Sequence, residues 1–249
     1  MATAPALPDA VDFEALSAEE LLAWAYARFG TRMCLTCSWQ RQSSALVHMV
    51  SELGLDVDVI ELDTEVLFPE TYETRERLLE RYGIELIRPH VLSVAEQHAQ
   101  EGPNLWERDP DRCCHLRKIE PLERALAGYD AWISGIRREQ ALTRKDAKRV
   151  EWSERYGVWK IQPLVDWNAK RVDAYVVVNE IPYNPLHDVG YPSIGCIPCT
   201  RPVLRGEDER AGRWAGADKI ECGIHGAFAS AESAGDNNSE GTDDSQRRE

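Results

Sequence analysis

The sequence lacks the long apolar runs and the glycine-rich phosphate-binding patterns that mark several large protein classes. No apolar stretch approaches the roughly 20 residues of a transmembrane helix. The N-terminal segment has neither the basic region nor the apolar region of a secretory signal. G-x-x-x-x-G-K-[ST] and G-x-G-x-x-G are both absent, as is any internal repeat. We therefore expect a cytoplasmic protein without membrane association, and neither a P-loop nucleotide hydrolase nor a Rossmann dinucleotide-binding protein.

The chain also lacks a positive net charge. Its formal net charge is −14, which argues against non-specific binding to nucleic acid or to anionic membranes, because both need an electropositive surface. Basic residues are instead clustered, and such clusters either bind a small anion or form solvated salt bridges. The clusters are Arg112, Arg117 and Lys118, then Arg137 and Arg138, and then Arg201, Arg205, Arg210 and Arg213.

Strand and helix patterns alternate along most of the chain. Apolar runs predict strands at residues 32–38, 57–62, 84–89, 131–135 and 158–164. Amphipathic periodicity with capping and glycine stop signals predicts helices at 17–29, 43–53, 69–83 and 113–127. This alternation is typical of an α/β fold with a parallel, twisted sheet and helices on both faces. Ligands bind such sheets at the carboxyl ends of the strands, where Ser38, Ser43 and Ser44 either contact an anion or simply cap a helix.

Four of the seven cysteines form a pattern that is typical of a metal centre. Cys113 and Cys114 are adjacent, and Cys196 and Cys199 form a C-x-x-C beside Gly195 and Pro198. A reducing compartment favours metal binding over structural disulfides. The set fits a 4Fe–4S cluster, structural zinc or a dithiol/disulfide pair. Adjacent thiolates favour the cluster, because they can bind different iron atoms of one cubane.

The remaining cysteines differ in their surroundings. Cys34 and Cys37 lie in an apolar strand where side chains three apart point to opposite faces, so both are predicted to be buried packing residues. Cys222 is followed closely by Gly223 and Gly226, with Lys219 and His225 nearby. Such a setting favours mobility of the segment and the thiolate form of the side chain. Cys222 is therefore either a candidate nucleophile or an incidental cysteine near the C-terminus.

Four segments in this order resemble the bacterial assimilatory adenylyl-sulfate (APS) reductases, relatives of the PAPS reductases. They are "CCHLRK", "YPSIGCIPCT", "DERAGRW" and "ECGIH". The resemblance implies an adenine-nucleotide α-hydrolase-like (PP-loop) fold with a mobile C-terminal segment. It also implies one 4Fe–4S cluster on Cys113, Cys114, Cys196 and Cys199. The implied activity is the thioredoxin-dependent reduction of APS to sulfite and AMP, in sulfate assimilation for cysteine biosynthesis.

The resemblance also implies residue roles. Cys222 is the catalytic nucleophile, which attacks the sulfate sulfur and forms an S-sulfocysteine that thioredoxin or a similar dithiol then reduces. Arg210 and Arg213 bind the phosphate and sulfate groups, and Lys118, with Arg117, lies between cluster and substrate. The other implied substrate-binding residues are Ser38, Asp63, Thr64, Arg137, Arg138 and His225.

These expectations divide the chain into four parts and leave two alternative functions. Residues 1–12 are predicted to be disordered, 13–205 to form the nucleotide-binding domain with the iron–sulfur site, 206–226 to form the mobile segment, and 227–249 to form a disordered acidic tail. The alternatives are PAPS reduction by the same chemistry and a redox-sensing binding module built on a metal or cluster site with four cysteine ligands. The sequence leaves the oligomeric state open, a homo-oligomer included.

Overall fold

The structure, a computed structural model, describes residues 4–7, 11–217 and 219–225. Its centre is a six-stranded sheet with the strands β1 (Met33–Cys37), β2 (Asp58–Glu61), β3 (Leu86–Ile87), β4 (Ala131–Ile133), β5 (Val150–Ser153) and β6 (Val158–Ile161). Across the sheet the order is β3-β2-β1-β4-β6-β5, and every pair is parallel except β5 with β6. The predicted parallel α/β fold is therefore confirmed.

Helices cover both faces of this sheet. In the described residues they are α1 (Ala18–Phe29), α2 (Arg41–Glu52), α3 (Pro69–Tyr82), α4 (Val94–Glu101), α5 (Leu105–Arg108), α6 (Pro110–Cys114), α7 (Glu120–Leu126) and α8 (Ala169–Val178). A π-helical turn, His115–Ile119, joins α6 to α7. Such turns interrupt the regular helical periodicity and often occur at functional sites.

Strand β1 shows how the sheet separates two apolar clusters. Leu35 and Cys37 pack in the cluster that contains Leu46 of α2, whereas Cys34 packs with Leu122 of α7. Alternate side chains of a strand point to opposite faces, so a run with almost no polar residue is buried on both sides. Cys34 and Cys37 are only 0% and 6% exposed, which confirms the prediction that they are buried packing residues.

Three features differ from the sequence-based prediction. The antiparallel edge strand β5 is missing from the prediction because its four half-buried residues form no apolar run. Helices α4 and α8 are also missing from it. The helix predicted at 113–127 begins earlier, at Pro110, whose fixed φ suits the first turn of a helix.

Some predictions concern residues outside the described ranges. The acidic tail, 227–249, lies entirely outside them, as do residues 1–3 and 8–10 of the predicted disordered N-terminus. The division between 13–205 and 206–226 stays a prediction. Among the described residues, no helix is both long and apolar enough to span a bilayer.

Candidate active site

A cavity of about 190 Å³ opens where strands of the parallel sheet end. Ser38 and Trp39 follow β1, Glu61 ends β2, and Ser134 follows β4, and all four line the cavity. Ligands of open α/β sheets bind at this edge, because the loops after adjacent parallel strands converge there. The cavity therefore lies where the topology predicts a ligand site.

The turn between β1 and α2 is held in a strained conformation. Trp39 has a φ of 58°, which is rare for a bulky side chain. Its indole N–H donates a hydrogen bond of 2.7 Å to Glu61, whose carboxylate also accepts one of 2.8 Å from Arg88. The Ser38 and Ser43 hydroxyls lie 2.9 Å apart. These bonds stabilise the turn and place Ser38 beside the start of α2, as the sequence predicts.

Four cations form one wall of the cavity: Lys118, Arg144, Arg210 and Arg213. The Nε groups of Arg210 and Arg213 are buried without a hydrogen-bond partner. Burial and the charge of Arg144 lower the pKa of Arg210 to about 10. A buried donor without an acceptor costs roughly 1–3 kcal/mol, so this wall is suited to an anion that accepts from these groups.

Gly195 gives Arg213 its place in this wall. The Arg213 guanidinium donates hydrogen bonds of 3.3 Å to the Ser193 hydroxyl and to the Ile194 carbonyl. A Cβ at residue 195 would lie 2.5 Å from Arg213 Cζ and 3.0 Å from its Nε. Only glycine leaves room for the guanidinium here, which explains the glycine before Cys196 in physical terms.

The segment 219–225 closes over the cavity and brings Cys222 to its wall. The Tyr156 hydroxyl donates a hydrogen bond of 2.8 Å to the Ile224 carbonyl, and Lys219 forms an ion pair with Asp111 of α6. Glu221 forms an ion pair with Arg144 at 2.7 Å. These contacts hold the half-buried Cys222 in the lining of the cavity, near Lys118 and Arg210.

His225 ends the described part of this segment and also lines the cavity. Its ring stacks on Trp132, with centroids 5.3 Å apart and planes 5° apart. Burial, and then the charges of Arg144, Lys160 and Arg210, lower the pKa of His225 well below its usual range. The imidazole is therefore neutral near pH 7, so it can donate or accept a hydrogen bond without adding charge.

Cys113, Cys114, Cys196 and Cys199 line a second, smaller cavity. The first two end α6, and the other two flank one helical turn in which the Cys199 amide donates to the Cys196 carbonyl at 3.0 Å. Among the described residues, only Lys118 lines both cavities. The four predicted ligands are thus brought together next to the predicted substrate site.

The ionisation of these thiols shows that they share one neighbourhood. Burial, and then Cys114 and Cys196, raise the pKa of Cys113 to about 11. Burial and Cys196 raise the pKa of Cys199 to about 12. Burial alone would raise the pKa of Cys196, but Lys118 and other polar neighbours lower it below its usual value. Cys113, Cys114 and Cys199 thus each have their pKa raised in part by other thiols of the set, which places the four side chains near one another.

The surroundings of these thiols suit an anionic metal–sulfur group. The Thr64 hydroxyl lies 3.2 Å from Cys196 Sγ, and the Gln97 amide nitrogen lies 3.8 Å from Cys113 Sγ. Hydrogen bonds to ligand sulfur and nearby cations stabilise the negative charge of such groups. Across the described ranges, however, no three Cys, His, Asp or Glu side chains as they stand form a group that could hold a metal ion. The assignment of the four ligands therefore stays a prediction.

The structure brings some predicted substrate-binding residues to the first cavity and places others elsewhere. Residues on its wall are Ser38, Lys118, Arg210, Arg213 and His225, together with Cys222. Thr64 and Arg117 lie instead on the cysteine cavity. Asp63 lies on neither wall, because its carboxylate accepts hydrogen bonds of 2.8 Å from the Tyr72 hydroxyl and the Glu65 amide.

Arg137 and Arg138 do not line the first cavity either, and their role in substrate binding stays a prediction. Arg137 is 1% exposed and forms an ion pair of 2.9 Å with Glu209. Arg138 donates to the Ala147 carbonyl and forms an ion pair of 2.8 Å with Glu14. Arg144 lines the cavity, and sequence analysis missed it. The sequence contains a signal, because Arg144 lies in the same basic stretch as Arg137 and Arg138. The short 3-10 helical turns Arg138–Gln140 and Leu142–Arg144, however, could not be predicted.

The sheet order and the position of the cavity define an adenine-nucleotide α-hydrolase-like protein. Solved structures share this fold. A phosphoadenylyl-sulfate (PAPS) reductase from Candida auris in a phosphate complex aligns with a TM-score of 0.68 at 31% identity, covering 81% of this chain and 100% of that one. An FMN adenylyltransferase from Candida glabrata in complex with ATP aligns with a TM-score of 0.56 at 13% identity, covering 77% of this chain and 64% of that one, and shares the fold alone.

Sequence comparison narrows the class. The model of the phosphoadenosine phosphosulfate reductase domain matches residues 32–202. An adenosine 5'-phosphosulfate reductase from Halalkalibacterium halodurans is 46% identical over 209 residues, which cover 83% of this chain and 90% of that protein. Adenosine 5'-phosphosulfate reductase 1 from Bacillus subtilis is 44% identical over 207 residues, which cover 82% and 89%. The chain belongs to the phosphoadenosine phosphosulfate reductase family, as the resemblance of its four segments predicts.

Proposed function

We propose that this protein is an oxidoreductase that reduces adenosine 5'-phosphosulfate to sulfite and AMP with a thioredoxin-like dithiol. The observation that carries the proposal is the position of Cys222, which lines the cavity at the edge of the sheet together with four cations. The curated relatives at 44–46% identity carry the name of this activity. A reaction of this kind belongs in the assimilation of sulfate for cysteine synthesis, and a dithiol donor places it in the reducing cytoplasm.

In the first step the Cys222 thiolate attacks the sulfur of the sulfate group. An S–S bond forms while the bond between that sulfur and the bridging phosphate oxygen breaks, so AMP leaves with the bonding electron pair. Both the attacking and the attacked groups are anionic, and the cationic wall offsets their repulsion. Arg144 and Arg210 form ion pairs with Glu221, whereas in the described part of the chain Lys118 and Arg213 form no ion pair with an acidic side chain, so their charge is available to the substrate.

In the second step a thiolate of the dithiol attacks Cys222 Sγ of the S-sulfocysteine. Sulfite leaves with the electron pair of the S–S bond, and a mixed disulfide remains. The second thiol of the donor then resolves this disulfide and frees Cys222. Two electrons thus pass from one dithiol to the substrate sulfur, two protons are released, and the donor becomes a disulfide.

The four clustered thiols are proposed to hold one 4Fe–4S cluster. Cys113, Cys114, Cys196 and Cys199 line a common cavity, with Arg117 and Lys118 on its wall to offset negative charge. When bound, the cluster would organise the site and shape its electrostatics, since the dithiol already supplies both electrons. Lys118 would balance the thiolates on one side and the substrate on the other.

The relatives favour APS over its 3'-phosphorylated form as the substrate. Proteins named for APS are 44–46% identical to this chain, whereas the structure named for PAPS is 31% identical. The direct test compares kcat/KM for the two nucleotides with the same dithiol donor. A higher value for PAPS would reassign the substrate while leaving the chemistry of Cys222 unchanged.

The experiment that tests the chemistry is intact-mass measurement after incubation with APS. Anaerobically prepared protein should gain the mass of one SO₃ group, and peptide mapping should place it on Cys222. Cys222→Ser should form no adduct and no sulfite while it keeps the cluster absorbance of the wild type. Sulfite formation by Cys222→Ser at the wild-type rate would contradict the enzyme mechanism and favour a redox-sensing module built on the four clustered cysteines.

A further inference from the structure

Glu221 immediately precedes Cys222 and makes the most extensive set of ionic contacts among the described residues 219–225. Its Oε1 accepts hydrogen bonds of 2.7 Å from Arg144 Nε and 3.1 Å from the Thr143 hydroxyl. Its Oε2 accepts bonds of 2.8 Å from Arg144 Nη2 and 3.1 Å from Arg210 Nη2. The two bonds from Arg144 form a bidentate pair, which is the strongest geometry that arginine and carboxylate adopt.

The burial of this carboxylate makes the contacts energetically significant. The side chains of Glu221 and Arg144 are only 17% and 6% exposed, and that of Arg210 is 11% exposed. Burial alone would raise the pKa of Glu221, but Arg144 holds it below its usual value. Exposed ion pairs contribute little because water screens them, whereas this pair is shielded and charge-assisted.

The charges of the cavity fall into two groups as a result. Glu221 neutralises part of the charge on Arg144 and Arg210, so the charge of these two arginines is used mainly in contacts within the protein. Lys118 and Arg213 have no such partner in the described residues, so they remain for an anionic ligand. Arg210 still has its Nε free of any partner, which allows it to contact the ligand while Glu221 occupies its other edge.

We propose that Glu221 is a positioning residue that latches the C-terminal segment over the cavity and thereby holds Cys222 against the bound substrate. The inference rests on the proposed function of Cys222. Glu221 does not line the cavity, and it acts through Arg144 and the backbone of its neighbour. Breaking its contacts releases the segment, which is the state in which a bulky dithiol protein reaches Cys222.

The test measures the accessibility of Cys222 in the cluster-loaded protein without nucleotide. Iodoacetamide alkylation of the Cys222 peptide is followed by mass spectrometry at increasing pH, and the plateau rate is compared. The plateau reports access, because the thiol is then fully ionised in every variant. Glu221→Gln should raise the plateau rate by roughly tenfold, as expected for the loss of a buried charge-assisted pair.

Asp130→Asn is the control for the loss of an arginine–carboxylate pair away from the cavity, although this pair is more exposed than that of Glu221. Asp130 also forms a two-bond pair with an arginine, Arg32, but it precedes β4 at the opposite end of the sheet from the cavity. Its plateau rate should equal that of the wild type. Equal rates in Glu221→Gln and Asp130→Asn would overturn the proposal. If Glu221→Gln does not fold, Thr143→Val decides the question, because it removes one hydrogen bond to Glu221 and should raise the rate by about threefold.

A kinetic readout separates positioning from substrate binding. In single-turnover adduct formation, Glu221→Gln should lower the saturating rate by about tenfold without raising the half-saturating APS concentration. A higher half-saturating concentration with an unchanged saturating rate would place Glu221 in binding and overturn the positioning role. Failure of the wild type to form any adduct would refute the proposed function instead, while the alkylation experiment would still report on the latch.

Discussion

Gly195→Ala tests whether the position of Arg213 governs the reaction. The added Cβ would meet Arg213 Nη2 first and would lie 2.5 Å from Cζ, so the guanidinium must withdraw by at least about 1 Å to reach the 3.4 Å of ordinary contact. The fold should survive, because the displaced atoms are the far end of a flexible side chain. A misplacement of about 1 Å in a group that orients reactants costs on the order of 100-fold in rate, or about 2.7 kcal/mol.

The assay is single-turnover formation of the SO₃ adduct on Cys222 at saturating APS, with cluster absorbance as a check on loading. Gly128→Ala is the matched control, because a Cβ at residue 128 meets no atom within 4 Å. We expect the control to react at the wild-type rate and Gly195→Ala to react roughly 100-fold more slowly. A difference between them of less than about threefold would show that Arg213 takes no part in orienting the sulfate.

Two further perturbations address Lys118 and His225. Lys118→Ala should lower the rate of adduct formation by roughly 100-fold, because a cation facing the developing charge is lost. The same substitution should also shift the cluster absorbance. If the rate and the absorbance are both unchanged, Lys118 does not link the two cavities. The pKa of His225 in the folded protein lies below its pKa in the unfolded chain. The contribution of His225 to the free energy of unfolding is therefore fully present above about pH 6.5, and each pH unit below that lowers the free energy of unfolding by at most about 1.4 kcal/mol. His225→Phe should keep the stacking on Trp132 and lose less stability than the wild type between pH 7.5 and 5.5 in thermal unfolding, and parallel pH profiles would contradict the assignment.

The elements that carry strong periodic signals could be predicted from the sequence. The apolar run of β1 and the capping box of α1 gave the right element types within a few residues, because both signals are local. The edge strand β5 could not be predicted in this way. It becomes a strand only by pairing with β6, and its own four residues are half-buried and of mixed polarity.

The same distinction between local signals and long-range contacts applies to the candidate site. The cysteine pairs are visible in the sequence because their spacing is short, and Lys118 follows Cys114 within the same helical region. Which arginine reaches the cavity depends on long-range partners that the sequence does not display. Arg137 pairs with Glu209, 72 residues away, and Arg138 pairs with Glu14, 124 residues away. Arg144, and neither of these two arginines, lines the cavity.

Lys118 is the point at which the two cavities influence each other. Burial alone would lower its pKa, but the thiols of Cys196, Cys114 and Cys222 raise it above its usual value, so its ammonium stays charged between the two groups. One cation thus faces both the proposed cluster ligands and the nucleophile, and any change in the charge of the ligands alters how strongly Lys118 attracts the substrate. Electrostatic coupling of this kind would need no electron to leave the proposed cluster. It would explain why a metal–sulfur centre lies beside a reaction whose two electrons, as proposed, come from a dithiol.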